Sequence, residues 1–531
     1  MSTEVPVSER IYLSTTIPYV NARPHLGHAL ELVQADVLAR HHRQRGDQVR
    51  FQTGTDDNSL KQVLAAQAEG VPVTDLVSRY AAEFEALREP LQLSFDDFIR
   101  TGSDPRHRPA AERLWRACAQ RADLYRRPYE GLYCVGCEQF YRLAELAAGR
   151  CPEHGTEPEL VAEENWFFRL SRYSGQLHEL ISSGRLRVEP GARRNEVLSF
   201  IAAGLEDFSI SRSRERAHGW GIPVPGDPGQ VIYVWWDALC NYISSLGYGT
   251  GGEGYPRWWR GSSRRVHVVG KGVLRFHAVY WPAMLLSAGE PLPTDVLVHD
   301  YLTAGGRKIS KSGGATPDPV ALARRFGTDA VRWWLLREVP RVGDADFTDE
   351  RLTGRANTDL AGGLGNLVSR TVAMVHKYRD GTAPGGHGPL PADPAARPLR
   401  AACLDAPGQV RAALDGHDFR AATAAVWRIV DEANRFIELT QPWLLARAER
   451  SAAGPAESGG RLAGALEAQA RLDVVPEAQV RLDAVLAHAV AACRCLAVQL
   501  EPFVPGAAAR VAAQCGPDRL PPATPVFARL A

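Results

Sequence analysis

The chain has 531 residues, 45% of them apolar and 23% charged, with a formal net charge of +1. These proportions belong to an ordinary globular protein, and at roughly 100–200 residues per domain they predict several domains. The near-neutral balance excludes a strongly basic field over the whole molecule, although a local patch suffices for nucleic-acid binding.

The opening stretch MSTEVPVSERIYL lacks a cationic segment followed by an apolar one, so no signal peptide is expected. No uninterrupted apolar run approaches the ~18 residues of a membrane helix. Nine cysteines, most of them scattered singly, do not suggest a disulfide framework. A cytoplasmic protein without a membrane partner is expected.

Residues 1–118 alternate β-like runs, IYLSTTIPYV and VRFQTGTD, with helical segments, which predicts a parallel α/β sheet. Residues 119–225 break this rhythm with a cysteine-bearing insertion. Residues 226–304 resume it, with QVIYVWWDAL and RRVHVVGKGVL as β-rich runs followed by helical patterns. Residues 305–355 carry a lysine loop, GGRKISKSGGATPDP. From 356 to 531 strand signals fade and 3.6-type periodicity predicts a helical domain, interrupted by a Pro/Gly-rich loop at 380–398. EAQARLDVV at 467 recurs as EAQVRLDAV at 477; a period of ten fits no supercoil and reads as a small duplication in a surface connection.

Three motifs carry chemistry. His25 and His28 stand three positions apart where a strand hands over to a helix, so they share a face at a helix N-terminus that favours anions. They are placed to hold one phosphate chain, with Gly27 allowing close approach of the ligand. In the lysine loop, Lys308 and Lys311 are placed to neutralise charge on a transferring phosphoryl or pyrophosphate group. Cys134-x-x-Cys137 and Cys151-x-x-His154, thirteen residues apart, suit a tetrahedral Zn²⁺ knuckle of three thiolates and one imidazole. All four positions would be filled by protein, so the metal would be structural.

HLGH and KISKS together resemble the paired signatures of the class I aminoacyl-tRNA synthetases. TTIPYVNARPHLGHA, TGTD, ENWFFRLSRY, FSISRS, RFHAVYWPAMLLSAGEPLP and FGTDAVRWWLLREVP extend the resemblance to the methionyl-tRNA synthetase family, from about residue 10 to about residue 445. The resemblance implies a Rossmann-type catalytic domain with an inserted zinc knuckle and a C-terminal α-helical anticodon-binding domain. It implies activation of methionine by ATP with Mg²⁺ and transfer to a tRNA with a CAU anticodon. His25, His28, Gly27, Gly270, Lys308 and Lys311 would then serve ATP. Ile17, Tyr19, Trp235, Ala238, Leu239, Tyr242 and His277 match the methionine slot, and Asp56 matches the carboxylate that receives the α-ammonium. Asn366, Arg370 and Trp443 resemble the family's anticodon-reading residues. No appended dimerisation module is recognisable, and a monomer is expected.

The chain also departs from the family. Asp57, Asn58 and Ser59 follow TGTD where a His-Gly pair usually stands two positions on, and the family often has a fourth cysteine where this chain has His154. Gly272 follows GK where the family usually has aspartate, which would leave Arg212 without its expected carboxylate unless Asp57 or another group replaces it. Ile309, Gly314 and Ala315 stand in a lysine loop that the family tends to write with Met, Gly and Asn. Three readings follow: a working synthetase with a compensated site, a paralogue for specialised chemistry or inhibitor tolerance, or a catalytically dead tRNA-binding protein. The retained histidines and lysines argue against the last.

Overall fold

The computed structural model describes residues 8–136, 139–141, 143–153, 155–309, 316–385, 389–453, 463–516 and 519–531. Six strands make its central sheet: β1 (Arg10–Thr15), β2 (Gln48–Thr55), β3 (Asp97–Arg100), β4 (Arg187–Glu189), β5 (Arg264–Gly270) and β6 (Asp295–His299). Their order is β3–β2–β1–β5–β6–β4, and every pairing is parallel. Such a sheet is covered on both faces, so its inner strands read as apolar runs. β1 buries five of its six residues, and Ile11 lies in register with Val49 on one side and Arg264 on the other.

Two segments differ from the sequence reading. The strand within QVIYVWWDAL, Asp227–Ile232, stays out of the parallel sheet and pairs antiparallel with Ser211–Ser213 and Pro223–Val224. The rest of that run is helix, Val234–Leu239. Conversely, β4 comes from the stretch expected to be an insertion, yet Arg187–Glu189 pairs with Asp295–Leu297 and closes one edge of the sheet. The remainder of that stretch contains a four-stranded antiparallel sheet built on Leu124–Cys134 and Glu159–Phe168.

The chain forms two compact units, Met1–Ala321 with Arg341–Asp346, and Leu322–Pro340 with Phe347–Ala531. The second is helical. Its helix Phe419–Thr440 is capped by Asp418, whose side chain accepts from the Ala421 N–H at 2.8 Å, and ends at Gln441 in the left-handed region with φ of 43°. Between those ends Ala422, Val426, Ile429, Ala433 and Phe436 are buried at helical spacing. The repeated nonapeptides both fall in the helix Ala463–Leu500 rather than in a surface connection, and Leu482 and Val485 of the second copy are fully buried. Glu477–Leu500 is long and apolar enough to cross a membrane by length and composition, but 67% of its apolar window is buried inside the protein, as in a core helix.

Candidate active site

The site is built at the ends of β1, β2, β5 and β6 and on the helices that follow them, together with the helix Val234–Leu239. α1 (Leu26–Gln44) follows β1, and α2 (Leu60–Glu69) follows β2. His25 is the N-cap of α1 in an extended conformation, φ −128° and ψ 171°. Its Nδ1 accepts the Gly27 N–H at 3.1 Å, while His28 Nδ1 accepts the His25 N–H at 3.0 Å. This is a reciprocal cap made of two imidazoles. Because both Nδ1 atoms act as acceptors, each neutral ring carries its proton on Nε2, as a donor suited to an anion. The rings stack with centroids 3.7 Å apart. A Cβ at residue 27 would lie 2.9 Å from His25 Cε1, so Gly27 makes room for that ring, a different reason from the ligand approach expected above.

These residues open onto a cleft of about 1000 Å³ at the carboxyl edge of the sheet. His25, Gly27, His28, Ile17, Tyr19, Asp56, Trp235, Ala238, Leu239, Tyr242, His277 and Gly270 all line it. Tyr19 bridges Asp56 through the backbone, and the Asp56 N–H donates to Pro18 O at 3.0 Å. Asp56 is 1% exposed. Trp235 stacks on Phe276 at 3.7 Å and meets Tyr19 edge-on at 6.3 Å. His277 Nδ1 lies 2.8 Å from Val273 O and so carries the proton, leaving Nε2 to accept from the Tyr242 hydroxyl at 2.7 Å. Burial pushes the His277 pKa down to about 4 against that backbone bond, so the ring is neutral. The slot walls are largely aromatic and aliphatic, with the buried Asp56 carboxylate at one end, which suits a thioether side chain that carries an ammonium.

The departures are absorbed locally. Asn58 Nδ2 donates to Asp237 Oδ2 at 2.7 Å, and the other oxygen of Asp237 lies 2.5 Å from His107 Nε2. Ser59 caps α2 by accepting the Lys61 N–H at 3.0 Å. Asp57 is engaged elsewhere than at Arg212. It pairs with Arg100 at 3.2 Å, and burial raises its pKa while Arg100 opposes the rise. Arg212 donates to the Tyr133 hydroxyl at 2.9 Å, with its guanidinium over the Tyr133 and Tyr233 rings at 5.5 and 5.7 Å.

Further residues at the cleft were not singled out by the sequence reading: Lys61, whose Nζ stands 4.4 Å over the Tyr19 ring, and Glu31, His299 and Tyr301. Glu31 follows His28 by three positions, a helical spacing that signals a shared face. Its carboxylate accepts from the Thr16 N–H at 2.8 Å, from the Thr16 hydroxyl, and from His299 Nε2 at 3.0 Å. His299 Nδ1 also donates, to Asp300 O at 2.9 Å. Burial alone would lower the His299 pKa, but the hydrogen bond and charge of Glu31 outweigh it and raise the pKa above 6.5. With a raised folded-state pKa, the pair contributes its full stabilisation below pH 6.5 and loses it as pH rises through the folded value. NMR titration is expected to find the His299 pKa above 6.5, and Glu31→Gln to bring it below that value.

The lysine loop is visible at its flanks. Ile309 lines the cleft, and Pro317 O accepts the Leu26 N–H at 3.1 Å, at the start of α1. Lys308 ends a short strand paired to Thr303; its side chain and the whole of Lys311 lie outside the described residues. So do Cys137 and His154. Cys134 and Cys151 are buried against each other beside Tyr141. Among the described residues there is no group of three side chains able to hold a metal. In the helical unit Asn366 is exposed at the start of the helix Asn366–Arg379, and Arg370 pairs with Glu438 at 2.7 Å. Trp443, just past Glu438 in the chain, is 36% exposed.

A family model described as tRNA synthetases class I (M) matches residues 11–158 and 142–372. The methionine–tRNA ligase of Mycobacterium tuberculosis strain H37Rv is 42% identical over 446 residues, 83% of this chain and 84% of that protein. That of Brucella suis is 41% identical over 451 residues, 84% of this chain and 85% of the relative. The structure of Mycobacterium tuberculosis methionyl-tRNA synthetase in complex with methionyl-adenylate superposes with a TM-score of 0.87 at 37% identity, covering 98% of this chain and 99% of that one. A parallel sheet with two histidines capping the helix after its first strand is the catalytic unit of a class I aminoacyl-tRNA synthetase. Within that class the chain belongs to the methionyl-tRNA synthetase family.

Proposed function

We propose that this chain is a methionine–tRNA ligase that activates methionine with magnesium–ATP and transfers the methionyl group to the terminal adenosine of a CAU-anticodon tRNA. The observation that carries this reading is the single cleft that gathers the paired histidines, the aromatic slot and Asp56. A methionine carboxylate oxygen attacks the α-phosphorus, the bond from that phosphorus to the bridging oxygen breaks, and pyrophosphate leaves. A hydroxyl of the terminal adenosine then attacks the adenylate carbonyl, and AMP leaves. Asp56 takes the α-ammonium, and Trp235, Tyr242, His277, Ile17, Tyr19, Ala238 and Leu239 enclose the side chain. His25 and His28 donate to phosphate oxygens through Nε2, and Gly270 lets the nucleotide pack close to the sheet. Lys308 and Lys311 neutralise charge as pyrophosphate departs. The loop's flanks at Ile309 and Pro317 support their approach to the same cleft. Pyrophosphate exchange into ATP, run with each standard amino acid, tests the reading: methionine alone is expected to support it, and a flat response to all would sink it.

Cys134, Cys137, Cys151 and His154 form the zinc knuckle in this reading. The two described thiols already pack together in a buried pair, which fits two ligands of one tetrahedral ion. Bound zinc would supply folding energy and no chemistry. Metal analysis of freshly purified protein is expected to give about one Zn²⁺ per chain. Strong chelation should destabilise the 119–225 segment in hydrogen exchange.

The helical domain beginning near 356 reads the anticodon through Asn366, Arg370 and Trp443, and the enzyme works as a cytoplasmic monomer. Stacking on an aromatic ring contributes ~1–3 kcal/mol per base. Trp443→Ala is therefore expected to raise the KM for tRNA by roughly 5- to 150-fold and to spare adenylate formation. An equal fall in both steps would refute the assignment.

A further inference from the structure

We propose that Tyr301 is a nucleotide-binding group of this chain, its hydroxyl hydrogen-bonding the nucleoside half of ATP from space that Gly272 leaves open. The proposal rests on the functional reading above for its ligand and on geometry for its placement. In the sheet order β3–β2–β1–β5–β6–β4, connections run one way from β1 and the other way from β5. The crevice beyond the carboxyl ends of those two strands is where open parallel sheets hold nucleotides. Gly272 lies just after β5, Tyr301 just after β6, and both line the cleft. The phosphate chain is assigned to His25 and His28 and the amino acid to the Trp235 slot; the wall formed by Gly270, Gly272 and Tyr301 belongs to neither and lies at the strand ends where the nucleoside is expected.

Contacts on both sides of its backbone and on its ring hold the tyrosine there, among them the Ala345 N–H, which donates to Tyr301 O at 3.2 Å. The Tyr301 N–H donates to Asp344 Oδ1 at 2.9 Å, and Lys271 Nζ donates to the same oxygen at 2.6 Å. That ammonium stands 4.4 Å over the Tyr301 ring. The neighbouring Asp300, also at the cleft, has its carboxylate engaged by Arg193 and by the Gly343 N–H, the latter at 2.6 Å, with Lys271 Nζ 4.0 Å away. A Cβ built on residue 272 would lie 2.2 Å from the Tyr301 hydroxyl and 3.4 Å from Cζ. Any side chain at 272 therefore excludes the hydroxyl from its present position and tolerates the ring without it. The glycine is required by this contact alone, since Gly272 is absent from the positive-φ positions of the backbone.

The test is a two-residue cycle read by the KM for ATP in methionine-dependent pyrophosphate exchange and by calorimetric titration with ATP. One neutral hydrogen bond is worth about 3- to 10-fold in affinity. Tyr301→Phe is expected to weaken ATP by that factor, leaving kcat and the KM for methionine within about twofold. Gly272→Ala should weaken ATP comparably by displacing the hydroxyl. The double variant should match Tyr301→Phe alone, because the added methyl then meets only Cζ. Affinity for inorganic tripolyphosphate should not change in any variant. Unchanged ATP affinity in Tyr301→Phe, additive effects in the double variant, or a parallel loss for tripolyphosphate would each overturn the proposal. Absent exchange in the unmodified chain would instead overturn the functional reading, while the calorimetric ratio still decides the role of Tyr301.

Discussion

Replacing His28 by alanine is expected to lower methionine-dependent pyrophosphate exchange by about 10²–10³-fold in kcat, the usual cost of removing one preorganised donor to developing charge. His28 has two functions that the substitution separates. Its Nδ1 accepts the His25 N–H at 3.0 Å and so fixes the entry of α1, while its protonated Nε2 is the donor assigned to phosphate. His28→Asn places an amide oxygen near the cap and keeps a donor of different reach. His28 is the N3 residue of that cap, where a Glu or Gln side-chain oxygen commonly accepts the N-cap N–H, and an amide oxygen accepts in the same way. We therefore expect His28→Asn to retain the thermal stability of the native chain while losing most of the rate. His28→Ala should lose the rate together with about 1 kcal/mol of stability, the common cost of a lost cap. The check is steady-state exchange kinetics beside thermal unfolding of both variants. An asparagine variant with full activity would reduce the imidazole to a cap, and the phosphate assignment would fall with it.

The parts of this site that could be read from sequence are those in which chemistry and local structure coincide. HLGH announced both a helix start and an anion site because the same few residues create both. The inner strands β1 and β5 were legible because double-sided burial demands continuous apolar runs. What escaped was long in sequence and short in space. Glu31 and His299 are separated by 268 positions, and Asn58 and Asp237 by 179, so neither pair leaves a periodic trace. β4 has three residues, too few to show a period, and owes its place in the sheet to its pairing with Asp295–Leu297. The run QVIYVWW has the apolar composition of an inner strand, yet composition is silent about which partner a strand takes and about where the strand gives way to helix. The departures at 58, 59 and 272 looked like defects because sequence lists the group that is missing and omits what fills its place. In the fold Asn58 finds Asp237, Ser59 becomes a cap, and a tyrosine hydroxyl occupies the space beside Gly272.

Asp56→Asn is expected to reduce kcat/KM for methionine by ~30- to ~4000-fold, equivalent to the ~2–5 kcal/mol lost when one partner of a buried charge pair is removed. The substitution keeps shape and removes charge. Asp56 Oδ1 accepts the Asn58 N–H at 3.1 Å, a bond that an amide oxygen reproduces, so the turn into α2 should survive. What disappears is the carboxylate assigned to the α-ammonium, at the end of a slot whose residues Trp235, Tyr242, Ile17, Ala238 and Leu239 are aromatic or aliphatic and whose His277 is neutral. The loss should therefore fall on groups that bear the α-ammonium and leave the KM for ATP within about twofold. A methionine analogue lacking that ammonium provides the discriminating comparison. It should bind the native chain weakly, because it brings no ammonium to compensate the buried negative charge, and should bind Asp56→Asn no worse than it binds the native chain. Kinetics with methionine and inhibition by the deaminated analogue, measured on both proteins, complete a thermodynamic cycle whose coupling energy belongs to the ammonium–carboxylate pair alone. If the analogue loses affinity in the variant as much as methionine does, Asp56 acts by shaping the slot, and the assignment of its charge to the α-ammonium is wrong.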